Sequence, residues 1–140
     1  MDDILIYTQT LEQHAELLAA MLQLLVDNSL YAKPSKCSFA QDSIEYLGHV
    51  ISNKGVSTDP QKITAVQNWP VPTNVKEVRA FLGLTGYYRR FIQHYSLISK
   101  PLTLLLQKGT PFMWSSVTQE AFDTLKHALV SAPVLALPKF

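Results

Sequence analysis

Two prolines two positions apart, Pro70 and Pro72, break this chain of 140 residues into halves that no single helix or strand can bridge. Neither proline offers an amide donor, and the residue before each is steered away from the helical region. A helix arriving from the N-terminal side must therefore stop by Trp69, and the next must start afresh. The halves differ in charge as well. Residues 1–70 hold four Lys against eight Asp or Glu, a net −4, whereas residues 71–140 hold eight Lys or Arg against three acids, a net +5. An acidic half that binds metal and a basic half that binds phosphate would fit this split, and so would ordinary surface variation.

Within the first half, Leu11, Ala15, Leu18, Leu22 and Leu25 recur at the spacing of one helix face, and Thr10 with Gln13 supplies a capping box. A helix over residues 10–29 that packs on a sheet is expected. Short apolar or alternating runs follow over residues 30–56, punctuated by Lys33-Pro34-Ser35, Gln41-Asp42 and Asn53-Lys54-Gly55, and these read as strands and hairpins. Asp59 and Pro60 then supply an N-cap and a first-turn proline for a short helix ending near Trp69.

In the second half Thr73 or Asn74 caps a helical stretch whose apolar face is Val75, Val78, Phe81 and Leu82, continuing through Tyr88, Phe91 and Ile92. Gly83 and Gly86 interrupt it. Each costs about 1 kcal/mol relative to alanine, so the helix either breaks there or gains from close packing. A second helix is expected over residues 99–107. Ser116 with Gln119 can cap a third, bearing Ala121, Phe122, Leu125, Ala128 and Leu129 and stopping before Pro133, after which residues 134–137 begin a strand.

Composition excludes several classes. A chain that is 47% hydrophobic and 16% charged belongs with globular proteins. One cysteine, Cys37, cannot form an internal disulfide and reads as a small buried hydrophobe. The four histidines fall at no zinc-like spacing. The longest apolar stretch, residues 17–26, is interrupted by Gln23 and falls well short of the roughly 20 residues needed to span a bilayer, so neither a membrane segment nor a signal peptide is expected.

The chain opens with Met1, Asp2 and Asp3 ahead of the apolar run Ile4, Leu5, Ile6, Tyr7. Two adjacent carboxylates at the mouth of a buried strand repel unless a cation neutralises them or the strand end lies open to water. Mg²⁺ is the obvious cation, and a solvated terminus is the plain alternative. Further words follow in fixed order: Lys33-Pro34-Ser35-Lys36-Cys37, Tyr46-Leu47-Gly48-His49-Val50-Ile51-Ser52, Asn68-Trp69-Pro70, Phe81-Leu82-Gly83-Leu84, Tyr87-Tyr88-Arg89-Arg90-Phe91-Ile92 and Ser131-Ala132-Pro133-Val134-Leu135. Across essentially its whole length the chain resembles the reverse transcriptase (RNA-directed DNA polymerase) of gypsy-type LTR retrotransposon Pol polyproteins and, more distantly, retroviral polymerases. Two departures are Gln93, where a proline is common, and Lys139, where an aspartate is common.

The resemblance implies an α+β fold in three parts. Residues 1–58 would be the C-terminal part of a polymerase palm, short antiparallel strands with a packed helix and a primer-grip-like hairpin. Residues 59–110 would form a mostly helical thumb, and residues 111–140 the first helix and strand of an RNase H-like domain. It also implies roles. Asp2 would be the catalytic ligand shared by two Mg²⁺ ions, with Asp3 in support and a further aspartate supplied from outside this chain. Tyr46, Leu47, Gly48 and His49 would position a primer terminus, Gly48 allowing close approach of another backbone or a ligand. Lys76, Arg79, Arg89 and Arg90 would lie along the sugar-phosphate backbone, or else form a solvated basic face, while Tyr88 and Phe91 belong to the core.

The expected activity is that of a fragment. The parent enzyme would add deoxynucleotides to a primer on an RNA or DNA template by metal-assisted phosphoryl transfer. This chain lacks the other palm aspartate, the fingers and the carboxylates of the RNase H domain, so it is expected to be inactive alone. A non-catalytic module that keeps its grip on primer-template duplex is the alternative, as is a translated relic with Leu18, Leu22 and Phe39 exposed. No address signal is present. By family analogy the parent would work in a cytoplasmic particle.

Overall fold

The computed structural model describes residues 3–136, so Asp2, Leu137 and Lys139 lie outside the described residues. Five α-helices and a small antiparallel sheet follow in the order α1 (Leu11–Asp27), β1 (Ser43–Tyr46), β2 (His49–Ser52), β3 (Gly55–Thr58), α2 (Pro60–Gln67), α3 (Val75–Tyr87), α4 (Tyr95–Leu104) and α5 (Ser116–Val130). The mixed α and β architecture expected from the sequence is the one observed.

The sheet is a plain meander, β1-β2-β3, with Tyr46 paired to His49 and Ser52 to Gly55. Both connections are two-residue turns, which antiparallel neighbours allow. A single bridge extends the sheet's far edge, where Val56 and Leu135 exchange backbone hydrogen bonds of 2.7 and 2.8 Å. The strand expected over residues 134–137 is reduced, among the described residues, to that bridge.

The core lies in the helical half. Val66 from α2, Val78 and Phe81 from α3, Leu102 from α4, and Leu125 and Leu129 from α5 are fully buried. Helix α5 packs against both α2 and α4. The rings of Phe81 and Phe122 lie 4.6 Å apart, and Lys126 spans the seam, donating to the Trp69 carbonyl at 3.0 Å while lying over the Phe122 ring. An aromatic pair of this kind adds about 0.5–1.5 kcal/mol beyond its buried area.

Local chemistry sets the helix boundaries. Asp59 accepts the Gln61 amide at 2.8 Å and Pro60 opens α2; Asn74, one of the two candidates, caps α3 by accepting the Glu77 amide at 3.0 Å. At α5 the cap is Ser115 paired with Thr118 rather than Ser116 with Gln119, because Gln119 is engaged by the Trp114 indole at 2.7 Å. Helix α4 starts at Tyr95, four residues before the expected start, and tolerates Pro101 inside it. Its N-cap, His94, sits in the left-handed region with φ 58°.

Four expectations need correction. Residues 4–7 form no strand: Ile4 and Tyr7 are exposed and the run pairs with no described strand, since a buried strand needs neighbours on both sides. Helix α1 forms where expected, with Thr10 capping it, but buries none of its residues. Leu22 and Phe39 are exposed with it, and Leu18 is half-buried. Around the expected Lys33-Pro34-Ser35 turn, which forms as a 3₁₀ turn at Pro34–Lys36, the flanking runs make no strand among the described residues before β1. Finally, α3 does not continue through Phe91 and Ile92 but ends at Tyr87, with Phe91 in a separate 3₁₀ turn; of the two alternatives for Gly83 and Gly86, the helix runs on unbroken.

Candidate nucleic-acid interface

The turn between β1 and β2 consists of Leu47 and Gly48, both with positive φ, 48° and 73°. Two such residues make the tight turn whose twist matches antiparallel strands. Leucine adopts that conformation at a cost of roughly 1–2 kcal/mol, so something must hold it. The hold comes from the end of α3. The Tyr87 phenol donates to the Leu47 carbonyl, and the Tyr88 phenol donates to the Gly48 carbonyl at 2.7 Å.

Aromatic packing surrounds these bonds. The His49 ring stacks on Phe91 at 5.7 Å and stands 5.4 and 5.5 Å from Tyr87 and Tyr88, whose own rings meet edge to face at 5.0 Å. A Cβ added at Gly48 would come within 3.2 Å of the Tyr88 hydroxyl. Within the chain, the Tyr88 phenol is what approaches Gly48 closely. Tyr88 is buried, and burial first, with Asp59 and Tyr87 adding negative charge nearby, pushes its pKa up to about 12.

The remaining predicted residues sort by position. Tyr46 is half-buried at the base of the turn and its phenol reaches the Asp3 carbonyl at 3.4 Å. Leu47 is 58% exposed at the tip. Lys76 and Arg79 are exposed one turn apart on α3, and Arg89 and Arg90 are exposed just past its end. Arg90 also borders a cleft with Tyr46, His49, Ile51, Phe91 and Leu135. The hairpin tip and the end of α3 are thus brought together.

The acidic pair is a different matter. Asp2 lies outside the described residues, and Asp3 is exposed. Among the described residues no three His, Cys, Asp or Glu side chains gather where they could hold a metal ion.

Two features escaped the sequence reading. Tyr87 and Tyr88 as holders of the turn were visible only as aromatic residues between basic ones. The exposure of Gly83 was also hidden: a Cβ placed there would meet nothing within 4 Å, so close internal packing does not explain this glycine.

Comparison with known proteins fits this geometry. The family model for reverse transcriptase (RNA-dependent DNA polymerase) matches residues 1–51. An uncharacterized mitochondrial protein of Arabidopsis thaliana is 49% identical over 123 residues, 86% of this chain and 77% of the relative. The retrovirus-related Pol polyprotein from transposon 297 of Drosophila melanogaster is 39% identical over all of this chain, which spans 13% of that polyprotein's length. Structures of a foamy viral protease-reverse transcriptase, one with double-stranded DNA and one with RNA/DNA hybrid, superpose with TM-scores of 0.82 and 0.80 at 25% identity. Each covers 93% of this chain, and the chain spans 23% and 18% of those proteins. By sequence and by fold, then, this chain belongs to the reverse transcriptase family, among the homologues of retrotransposon Pol polyproteins.

Proposed function

We propose that the chain is a polymerase fragment of a gypsy-type LTR retrotransposon and that its own activity is to grip primer-template duplex. In this reading residues 1–58 are the end of the palm, residues 59–110 the thumb, and residues 111–140 the lead-in to an RNase H-like domain. One observation carries it. Lys76, Arg79 and Gly83 share the exposed side of α3, which ends where the hairpin tip is tied down.

The physics of that helix face suits a nucleic-acid backbone. A mid-helix glycine costs about 1 kcal/mol relative to alanine, and nothing inside the protein occupies the space its missing side chain leaves. The helix backbone can therefore approach a sugar-phosphate chain closely, while Lys76, Arg79, Arg89 and Arg90 neutralise phosphates without reading sequence. The foamy viral relatives, bound to double-stranded DNA and to RNA/DNA hybrid, support this partner class. Templated addition of deoxynucleotides with Mg²⁺ belongs to the longer parent, in which Asp2 and Asp3 would be joined by a carboxylate from outside this chain.

Fluorescence anisotropy with a primer-template DNA duplex and an RNA/DNA hybrid, across a salt series, tests the reading. Binding should be salt-sensitive and indifferent to sequence. Each of Lys76→Ala, Arg79→Ala, Arg89→Ala and Arg90→Ala should lower the salt slope by about 1. No binding at low salt would sink it, and primer extension by this chain alone would show that the fragment is more complete than proposed.

A further inference from the structure

We propose that Tyr87 and Tyr88 are positioning residues: they lock the Leu47 and Gly48 turn to the end of α3, so that hairpin tip and helix face meet one duplex as a single rigid surface. This role rests on the duplex-binding reading above. Two consecutive carbonyls of a strained turn accept from two consecutive phenols. The two rings meet edge to face at 88°, so each phenol is braced by the other as it holds its carbonyl.

Burial sharpens the point. Tyr88 is 1% exposed and so does not touch nucleic acid itself. A phenylalanine would fill the same volume without a hydroxyl to satisfy. The hydroxyl instead reaches the Gly48 carbonyl, forty positions away in the chain. His49 completes the lock from the strand side by stacking on Phe91, which leaves the apolar side chain of Leu47 projecting at the tip. A tip held in this way can discriminate a primer terminus from continuous duplex; a loose one cannot.

The test uses the full chain with two fluorescent DNA duplexes of equal length, one with a recessed 3′ end and one blunt. Backbone mobility at Leu47, Gly48 and His49 is followed by the heteronuclear NOE of their amides. Wild-type protein should prefer the recessed end. In Tyr88→Phe that preference should fall about three- to ten-fold, and the three amides should become mobile. Tyr87→Phe should act in the same direction and serves if Tyr88→Phe does not fold. An unaltered turn, or a preference kept despite a mobile turn, overturns the proposal. A wild-type protein that binds neither duplex at low salt defeats the duplex-binding reading itself, whereas one that binds both equally overturns the discrimination proposed here, and either shows before any variant is made.

Discussion

The hydroxyl of Tyr88 and the carbonyl of Gly48 are joined by a 2.7 Å hydrogen bond that ties the end of α3 to the hairpin turn. Burial favours the protonated phenol, raising its pKa from 10.0 to about 12. The folded state therefore keeps a proton that the unfolded chain releases. Stability from this group is complete below pH 10 and is lost as the pH rises through about 12. Urea unfolding across this range should show a falling midpoint, and Tyr88→Phe should flatten the fall. An equal fall in the variant would assign it to other groups.

Gly55 should not tolerate a side chain. Its φ is 126°, and an added Cβ would lie 2.1 Å from the Leu135 carbonyl oxygen. The backbone conformation alone should cost Gly55→Ala about 1–3 kcal/mol, and the clash should break the Val56–Leu135 bridge as well. Denaturant unfolding gives the first effect; faster amide exchange at Val56 and Leu135 gives the second.

Gly83 should respond in opposite senses to two measurements. With open space around it, Gly83→Ala should raise stability by about 0.5–1 kcal/mol through helix propensity. The same methyl group should weaken duplex affinity by keeping the helix backbone from its partner. Thermal melts and anisotropy titrations on one preparation separate the two, and an unchanged affinity would remove this helix face from the interface.

At the other end of α3, Glu77 should make stability depend on acid. Its carboxylate accepts from the Thr73 amide at 2.7 Å, the Thr73 hydroxyl at 3.0 Å and the Asn74 side chain at 2.7 Å, in that order of influence holding its pKa below 4.5. Its contribution is present above 4.5 and disappears as the pH falls through the lower native value. Glu77→Gln should lose that part of the acid sensitivity, as read from unfolding midpoints on the acid side.

Much of this was legible in the sequence because caps and apolar periodicity are local. Asp59 with Pro60, Asn74, and the face Ala121, Phe122, Leu125 and Leu129 announce α2, α3 and α5 without tertiary knowledge. What failed depended on neighbours. Residues 4–7 carry a strand's composition but have no described strand beside them; for Gly83 and Gly86 the sequence left a break or close packing open, and core contacts of Phe81 and Thr85 carry the helix through both. Gly86 has its own reason, since a Cβ there would press on the Tyr95 hydroxyl at 3.3 Å. At the site, residue types and order pointed to the hairpin and the basic helix. That two tyrosines tie one to the other could not be read from a separation of forty residues.

The bridge between Val56 and Leu135 orders events during folding. The two hairpin turns close within a few residues and can form early, as local contacts do. The bridge, in contrast, joins positions separated by all of α2 to α5, so its loop closes only once those helices have packed. The sheet's outer edge is then the last part of the fold to be sealed. A chain shortened before Leu135 would leave β3 with an open ladder of unpaired backbone groups, ready to pair with another molecule.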